Sequence, residues 1–324
     1  MVALVAVFAP VATTNAADPP SAKRVKWRDL DAIALSDGRT EAIVVPKLGG
    51  RLMHYSLIGG LNWIWNGEEG SEKREPPLLW GGDKTYIGPH SMWRFTQAKG
   101  WPPPAADFTP HEAELPTAPT GLLLRTTSPE WPGYGARVIR EYSLVDGELV
   151  ITHKVTKVPG SAALMAAWTV TQTIPDATLY VPLNPKSPYK DNVFWFGFGA
   201  ARERVGASFL SPNLLRIQAI TGVGFKLGAH PAKPALAAVK GALAFLQKAD
   251  PQEGQYPEGA DGAGLSVEVY HHDLPPPNQY TELELLSPLR RADEGASLVT
   301  RWSIHPLQGQ DERASVERLL ELEP

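Results

Sequence analysis

Short runs in which apolar and polar residues alternate recur along this chain of 324 residues. A period of two predicts β-strands that turn one face to a core and the other to solvent or a pocket. We expect such strands at 51–57, 61–65, 121–127, 165–174, 265–272, 280–287 and 298–304. The 31 prolines and 29 glycines are spread between the runs, so the pattern predicts an all-β fold.

Two further pairs of alternating runs surround an Asp-Gly dipeptide and predict β-hairpins. Residues 32–45 alternate around Asp37-Gly38, and residues 137–155 alternate around Asp146-Gly147. Asp-Gly favours a two-residue type I′ turn, because both central positions of that turn need a positive φ. Each segment is therefore expected to form an antiparallel pair of strands.

Two segments fit this pattern less well. Residues 232–249 are rich in Ala, Leu and Lys, so propensity alone favours a helix, while Gly241 in the middle also permits a hairpin. Residues 311–322 predict a short helix or a capping tail. The composition does not change along the chain, so we expect one large β-domain from 27 to 324.

The composition excludes several classes of protein. A formal net charge of −4 argues against a nucleic-acid or anionic-membrane partner, and the absence of cysteine excludes disulfides and thiolate chemistry. The chain has no P-loop, Gly-x-Ser-x-Gly or His-Glu-x-x-His motif. The adjacent His271 and His272 would point to opposite faces of a strand, so we expect no metal site.

The N-terminus resembles a secretion signal. Residues 2–12 are apolar, and the small residues Thr14 and Ala16 have the offset of a cleavage site after Ala16, although no basic residue precedes the run. We expect residues 1–17 to be a signal peptide or a disordered leader, and the protein to be periplasmic or secreted. No apolar run reaches the ~18 residues of a membrane span, so no transmembrane segment is predicted.

Two alternating runs near the C-terminus each carry polar side chains on one face. The run 280–287 places Glu282 and Glu284 on one face and leucines on the other, and the run 265–272 has a similar polar face. If the two runs pair, one patch would contain Glu268, Tyr270, His272, Tyr280, Glu282 and Glu284. Neighbouring carboxyls raise each other's pKa, which suits acid–base chemistry. The alternative is a solvated outer face of an antiparallel pair.

Ten tryptophans are many for this length, and several lie among glycines and prolines. The stretch 80–101 contains Trp80, Asp83, Lys84, Tyr86, His90, Trp93, Arg94 and Trp101. Sugar rings stack their apolar faces on aromatic rings, while their hydroxyls need polar and charged partners. The stretch therefore suits a carbohydrate groove, and the alternative is that its tryptophans fill a core.

Three stretches together resemble the galactose mutarotase-like superfamily, in particular a branch described only as a domain of unknown function. They are residues 45–65, with a Pro-x-x-Gly-Gly-Arg turn, residues 167–175 and residues 280–289. The resemblance covers nearly the whole chain after residue 27. It implies a large twisted antiparallel β-sandwich with a concave sugar-binding face, and a hairpin rather than a helix at 232–249.

The resemblance also implies an aldose 1-epimerase-like isomerase that acts on a small saccharide without a cofactor. In such enzymes a glutamate takes the proton of the anomeric hydroxyl and a histidine protonates the ring oxygen, so two proton transfers suffice. The glutamate corresponds to Glu284 or Glu282, and the distance to Pro288 favours Glu284. The second hypothesis is a non-catalytic carbohydrate-binding protein.

The histidine of such enzymes has no counterpart here, because the matching strand reads Trp168-Thr169-Val170-Thr171-Gln172. His90, His153 and His272 are the candidates to replace it, and His90 is our choice. Either Arg51 or Arg94 would grip the sugar, unless Arg51 makes a structural ion pair beside the Gly49-Gly50 turn. The expected substrate-binding residues are Arg51, Asp83, Lys84, Trp93, Arg94, Trp101, Trp168, Lys226, Tyr270 and His272.

Overall fold

The computed structural model describes residues 19–67, 80–96, 103–116, 121–199, 205–259, 264–309 and 311–322. Its strands are β1 (Ser21–Trp27), β2 (Leu30–Ser36), β3 (Thr40–Val45), β4 (Arg51–Leu57), β5 (Asp83–Gly88), β6 (Glu112–Glu114), β7 (Leu124–Thr127), β8 (Val138–Val145), β9 (Glu148–Val155), β10 (Leu164–Thr173), β11 (Thr178–Pro182), β12 (Phe194–Gly199), β13 (Ala207–Ser211), β14 (Leu214–Gln218), β15 (Phe225–Ala229), β16 (Ala235–Lys240), β17 (Leu243–Ala249), β18 (Val267–His271), β19 (Thr281–Leu286), β20 (Arg290–Arg291) and β21 (Ala296–Pro306). The helices are α1 (Trp93–Thr96) and α2 (Glu312–Leu319), and short 3-10 turns occur at His90–Met92, Ala105–Asp107 and Lys190–Asn192.

The strands form two large antiparallel sheets. The first has the order β1-β2-β3-β4-β5-β10-β19-β18-β15-β12, with β20 paired to β10, and the second has the order β13-β14-β11-β16-β17-β21-β9-β8-β7-β6. Apolar side chains of both sheets pack into one core between them. Tyr55 of the first sheet, for example, lies 5.6 Å from both Phe245 and Trp302 of the second, measured between ring centroids. The predicted all-β sandwich is confirmed.

The segment 61–65 is not a strand, contrary to the prediction. It makes only an isolated bridge between Ile64 and Thr173. The Asn62 side chain accepts hydrogen bonds from the backbone N–H of Tyr55 at 3.0 Å and of Ile64 at 3.1 Å. Because a side chain here takes hydrogen bonds that a strand ladder would make, the run turns instead of extending.

The two Asp-Gly hairpins form, but only one has the predicted turn. Asp146 and Gly147 have φ values of 52° and 83°, and Val145 pairs with Glu148, as a type I′ turn requires. In the earlier hairpin only Gly38 has a positive φ, and the last paired residues are Ser36 and Glu41. The loop there is longer because the Asp37 carboxylate accepts the N–H groups of Arg39 and Thr40.

The two ambiguous segments are resolved by packing. Residues 232–249 form the β16–β17 hairpin, and Gly241 adopts a φ of +60° in its turn. Residues 311–322 contain α2, whose first turn is capped by the Asp311 carboxylate through the N–H of Ala314 at 3.0 Å. Side chains of this helix pack on the outer face of the second sheet, so that face is covered.

The first sheet begins at Ser21, ahead of residue 27, where we expected the domain to begin. The predicted leader, residues 1–17, lies outside the described residues. In the described part of the chain, neither helix is long and apolar enough to cross a bilayer.

Candidate functional site

A cleft of about 470 Å³ lies on the outer face of the first sheet, over its middle strands. Its volume falls within the range of small-molecule sites. The walls come from strands β5, β10, β12, β15, β18 and β19, from the 3-10 turn His90–Met92, from the loop that contains Glu258 and from the loop between β18 and β19. The lining residues are Tyr86, His90, Ser91, Trp168, Val170, Phe196, Lys226, Glu258, Glu268, Tyr270, His272, Tyr280 and Glu282.

Strand register explains why acidic side chains meet in this cleft. The predicted pairing of 265–272 with 280–287 is confirmed, since Glu268 lies opposite Glu284 and Tyr270 lies opposite Glu282. Lys226 on the next strand lies opposite Tyr270. The alternate residues of these strands, the leucines and valines, enter the core between the sheets. The polar faces therefore combine on the side away from the core.

The inner end of the cleft holds a buried group of two carboxyls and one ammonium. Lys226 Nζ lies 2.6 Å from Glu268 Oε2 and 3.1 Å from Glu284 Oε2. Trp168 Nε1 donates to Glu284 Oε2 at 2.7 Å. The ammonium also lies 5.0 Å from the ring centroid of Trp168 and 5.2 Å from that of Phe196. This places Lys226 in an aromatic and acidic cage.

Burial and mutual charge shift the pKa values of Glu268, Glu284 and Lys226. Burial raises the pKa of Glu284 to about 7 against the opposing charge of Lys226, and the pKa of Glu268 is raised for the same reason. Burial alone would lower the pKa of Lys226, but the two carboxylates outweigh it and hold that pKa above its usual value. One of the two carboxyls is therefore ready to hold a proton near neutral pH.

Glu282 and Glu284 share a face but differ in access. The Glu284 side chain has 0% of its surface exposed, whereas Glu282 lines the cleft with 15% exposed. Glu282 Oε1 accepts a hydrogen bond from Gln172 Nε2 at 2.9 Å and lies 3.8 Å from Lys84 Nζ. Burial raises the pKa of Glu282, partly against the charge of Lys84. Glu282 is thus the acid that a bound molecule can reach.

Aromatic and imidazole groups surround Glu282. Burial, together with the nearby Glu282 carboxylate, raises the pKa of Tyr270 to about 12. Tyr280 packs against His272, with ring centroids 4.9 Å apart. His272 Nδ1 accepts the N–H of Leu274 at 3.1 Å, so a neutral ring carries its proton on Nε2. Burial lowers the pKa of His272, which favours this neutral form.

Of the thirteen residues predicted for the site, six line the cleft. They are His90, Trp168, Lys226, Tyr270, His272 and Glu282. Glu284 and Lys84 lie directly behind this lining, each in contact with a lining residue. His90 sits in the 3-10 turn His90–Met92 at the rim, with its ring 4.9 Å from that of Trp93. Trp101 lies outside the described residues.

Four other predicted residues do not line the cleft. Arg51 is buried in an ion pair with Asp107 at 2.7 Å, which is the structural alternative raised above. Asp83 points into the core, where it pairs with Arg140. Trp93 is fully buried and donates to the Ile87 carbonyl at 2.8 Å. Arg94 is exposed and lies over the ring of Phe95.

His153, the third candidate for the acid, is also part of the core. Its two ring nitrogens lie 2.8 Å from Thr85 Oγ1 and 3.0 Å from Thr300 Oγ1. The side chain lies between the two sheets and is not part of the cleft lining.

The sequence did not indicate four of the lining residues, Ser91, Val170, Phe196 and Glu258. Phe196 belongs to the alternating aromatic run Phe194, Phe196 and Phe198, a signal that would have placed it on a strand face. Glu258 lies in a loop with a φ of 58°, where no periodicity indicates direction. Among the described residues, no group of three or more His, Asp or Glu side chains is arranged to hold a metal ion.

Neither sequence comparison identifies relatives: no protein-family model matches this chain, and no curated protein does. Solved structures identify the fold, which is that of galactose mutarotase-like proteins. One such protein, from Lactobacillus casei, is 14% identical with a TM-score of 0.53, over 85% of this chain and 100% of the other. A proposed aldose 1-epimerase from Escherichia coli K12 is 10% identical with a TM-score of 0.54, over 85% of this chain and 98% of the other.

A longer protein contains the same fold. A TPR-domain-containing protein from Parabacteroides distasonis is 15% identical with a TM-score of 0.53, over 86% of this chain. The match covers 48% of that protein, so this chain spans about half its length. At these identities the likeness establishes the fold, and the chemistry must be argued from the cleft.

Proposed function

We propose that this protein binds a saccharide in the cleft and interconverts its two anomers. The proposal is carried by one observation: aromatic rings and an accessible, half-buried acid, Glu282, lie together in one cleft of about 470 Å³. Aromatic faces suit the apolar faces of a sugar ring, and charged groups suit its hydroxyls. The galactose mutarotase-like fold supports a carbohydrate-related role.

We assign the proton acceptor to Glu282 rather than to Glu284, which the sequence favoured. A general base must contact the hydroxyl that it deprotonates. The Glu284 carboxylate is fully buried and is held by Trp168 and Lys226, whereas Glu282 lines the cleft. In this proposal Glu284 does not contact the sugar. Its charge helps to raise the pKa of Glu282.

The proton donor at neutral pH is Tyr270 in this proposal. Tyr270 lies directly opposite Glu282 across the β18–β19 pair, so both groups reach the same ligand. Its pKa of about 12 keeps the phenol protonated, while the lowered pKa of His272 leaves few imidazolium ions. We therefore give His272 a binding role, in which Nε2–H donates to a sugar hydroxyl.

The proton transfers balance without a cofactor. Glu282 takes the proton of the anomeric hydroxyl as Tyr270 gives its proton to the ring oxygen. The bond between the anomeric carbon and the ring oxygen breaks and leaves an aldehyde. Rotation about the adjacent carbon–carbon bond and reversal of both transfers close the ring as the other anomer and restore both side chains.

Two measurements test this proposal. Isothermal titration calorimetry with a panel of aldoses measures binding, and polarimetry measures how fast a fresh α-anomer equilibrates. We expect Glu282→Gln to slow the catalysed rate at least about 100-fold while binding persists, because general acid–base catalysis typically contributes that much. Glu112→Gln, on the exposed edge strand β6, is the matched control and should leave the rate unchanged.

The outcomes separate the alternatives. Binding without acceleration by the wild type supports the non-catalytic carbohydrate-binding protein. An absence of binding across the aldose panel contradicts the proposal as a whole. Acceleration that survives Glu282→Gln would remove Glu282 from the mechanism and return the acceptor role to another lining group.

A further inference from the structure

We propose that the cleft selects a saccharide that carries an ammonium group, bound between Glu258 and Glu268 on the side of the ring away from the anomeric carbon. This inference rests on the proposed saccharide binding and adds the chemical class of the ligand. It concerns the end of the cleft occupied by Glu268, Lys226 and Glu258, not the end at Glu282.

Acidic groups outnumber basic groups among the described residues at this end of the cleft. Three carboxyl groups, those of Glu258, Glu268 and Glu284, face a single ammonium, that of Lys226. Glu258 is close enough to Glu268 that its charge raises the pKa of Glu268. Even when Glu268 and Glu284 share one proton, two carboxylates remain for one lysine, and carboxylates in a partly desolvated site need cations or hydrogen-bond donors to compensate them.

Two carboxylate oxygens at this end of the cleft lack hydrogen-bond donors within the described part of the chain. Glu268 lines the cleft although none of its surface is exposed to solvent. Within the described part of the chain, Glu268 Oε1 has no hydrogen-bond partner, and neither does Glu284 Oε1. A buried acceptor that borders a cavity and has no donor is what a ligand's N–H groups would satisfy.

Two aromatic rings, those of Trp168 and Phe196, line this end of the cleft. Trp168 and Phe196 already hold one primary ammonium, that of Lys226, at 5.0 and 5.2 Å from their ring centroids. Ring faces attract cations within about 6 Å, and more strongly where water is excluded. Because both rings also line the cleft, a second cation that pairs with the unbonded oxygen of Glu268 would lie near an aromatic ring as well.

The position of the ammonium group on the sugar follows from the strand register. The pair Glu268–Glu284 and the pair Tyr270–Glu282 are successive rungs of the same face. Residues two apart on a strand are separated by roughly 7 Å, about the width of a sugar ring with its substituents. If Glu282 contacts the anomeric hydroxyl, the ammonium belongs on the opposite side, for example on carbon 6.

Anionic sugars are disfavoured by the same charges. A phosphate or carboxylate group at this end would meet three carboxyls and only one lysine. Like charges brought together in a partly desolvated site repel each other strongly. We therefore expect sugar phosphates and uronic acids to bind more weakly than neutral sugars.

The test compares affinities within one series of sugars by isothermal titration calorimetry. The ligands are glucose, 6-amino-6-deoxyglucose, its N-acetyl derivative, 2-amino-2-deoxyglucose and glucose 6-phosphate, with the galactose series in parallel. We expect the 6-amino sugar to bind about tenfold more tightly than its parent, as one charge pair can contribute. N-acetylation should remove that gain, the 2-amino sugar should show less of it, and the phosphate should bind most weakly.

Two variants locate the effect. Glu268→Gln should bring the affinity ratio of the 6-amino sugar to its parent close to one. Glu258→Gln, which alters a loop at the rim, should lower the same affinity ratio several-fold. Because Glu258 is only half-buried, this second variant keeps the test valid if Glu268→Gln does not fold. Glu282→Gln should preserve the ratio, because it changes the other end of the cleft.

The inference and the proposed function fail in different ways. If parent sugars bind but the wild-type ratio is one, the ammonium site is wrong and the saccharide cleft stands. If the ratio is high but unchanged in both Glu268→Gln and Glu258→Gln, the ammonium binds elsewhere and the inference is overturned. If no sugar of the panel binds, both proposals fail together.

Discussion

The two faces of the first sheet both carry buried polar groups, yet they differ in kind. On the core face, Asp83 pairs with Arg140 and accepts a hydrogen bond from Thr171 Oγ1 at 2.7 Å, so both of its carboxylate oxygens are bonded. On the cleft face, Glu284 is paired with Lys226, but its Oε1 has no hydrogen-bond partner among the described residues. The same sheet thus has a structural ion pair on one face and a candidate site on the other.

The comparison shows which property separates the two. Burial raises the pKa of Asp83 just as it raises that of Glu284, so a shifted pKa does not distinguish structure from function. Burial itself does not distinguish them either, since neither side chain is exposed. The difference is that the Glu284 group borders a cavity through Lys226 and Glu268, whereas Asp83 borders only protein.

The largest effect on stability is expected on the core face. Arg140→Met leaves the Asp83 carboxylate buried without its cation and should cost about 3–5 kcal/mol of the free energy of unfolding, measured in urea at pH 7. Arg125→Met is the matched control, because the ion pair of Arg125 with Glu141 lies at the surface and is worth about 1 kcal/mol or less. Equal losses in the two variants would contradict the distinction drawn here.

A smaller and pH-dependent loss is expected on the cleft face. Lys226→Met removes the ammonium shared by Glu268 and Glu284, and we expect a loss of about 2–3 kcal/mol at pH 8. The loss should shrink at pH 5, because both carboxyls can then be protonated and neutral. Urea unfolding at the two pH values checks this, and a loss that does not depend on pH would refute it.

For Glu284→Gln, the stability advantage of the wild type over the variant should decrease as pH rises, the opposite of the trend expected for Lys226→Met. The folded pKa of Glu284, about 7, lies above its unfolded value, so its contribution to stability is full at low pH and declines as pH rises through 7. Between pH 5 and pH 8, the free energy of unfolding of the wild type should therefore fall by on the order of 1–3 kcal/mol relative to that of the variant. Glu321→Gln is the control: the pKa of Glu321 is lowered to about 2, so its contribution changes only below that window.

The smallest of these effects concerns His153 on the core face. Burial, with repulsion from Arg140, holds the pKa of His153 well below its usual value. Its contribution to stability is therefore present above about pH 6.5 and is lost as pH falls. Between pH 7 and pH 5, His153→Gln should lose about 2 kcal/mol less of its free energy of unfolding than the wild type does. A steeper loss in the variant would contradict the neutral buried ring.

Much of the fold followed from local pattern. Alternation located β4, β10, β18, β19 and β21, and it placed Glu268 with Tyr270, and Glu282 with Glu284, on one face of their own strand. It failed at 61–65, where the Asn62 side chain replaced ladder hydrogen bonds, a competition that periodicity does not record.

The individual roles within the site were less predictable. Glu282 and Glu284 have the same parity on one strand, so sequence could not say which of them would be covered. Lys226 and Trp168, which cover Glu284, come from strands that are distant along the chain. Arg51 likewise looked equally suited to sugar and to structure until Asp107 was placed beside it.

The sequence by itself determined which side chains share a face, because alternation is a property of the extended backbone and needs no distant partner. Only the tertiary structure decided which face is covered and which is open. Helix α2 packs on the outer face of the second sheet, while the outer face of the first sheet keeps its cleft. That outcome depends on strand order and long-range packing, and these in turn decide which buried charges are compensated and which are left for a ligand.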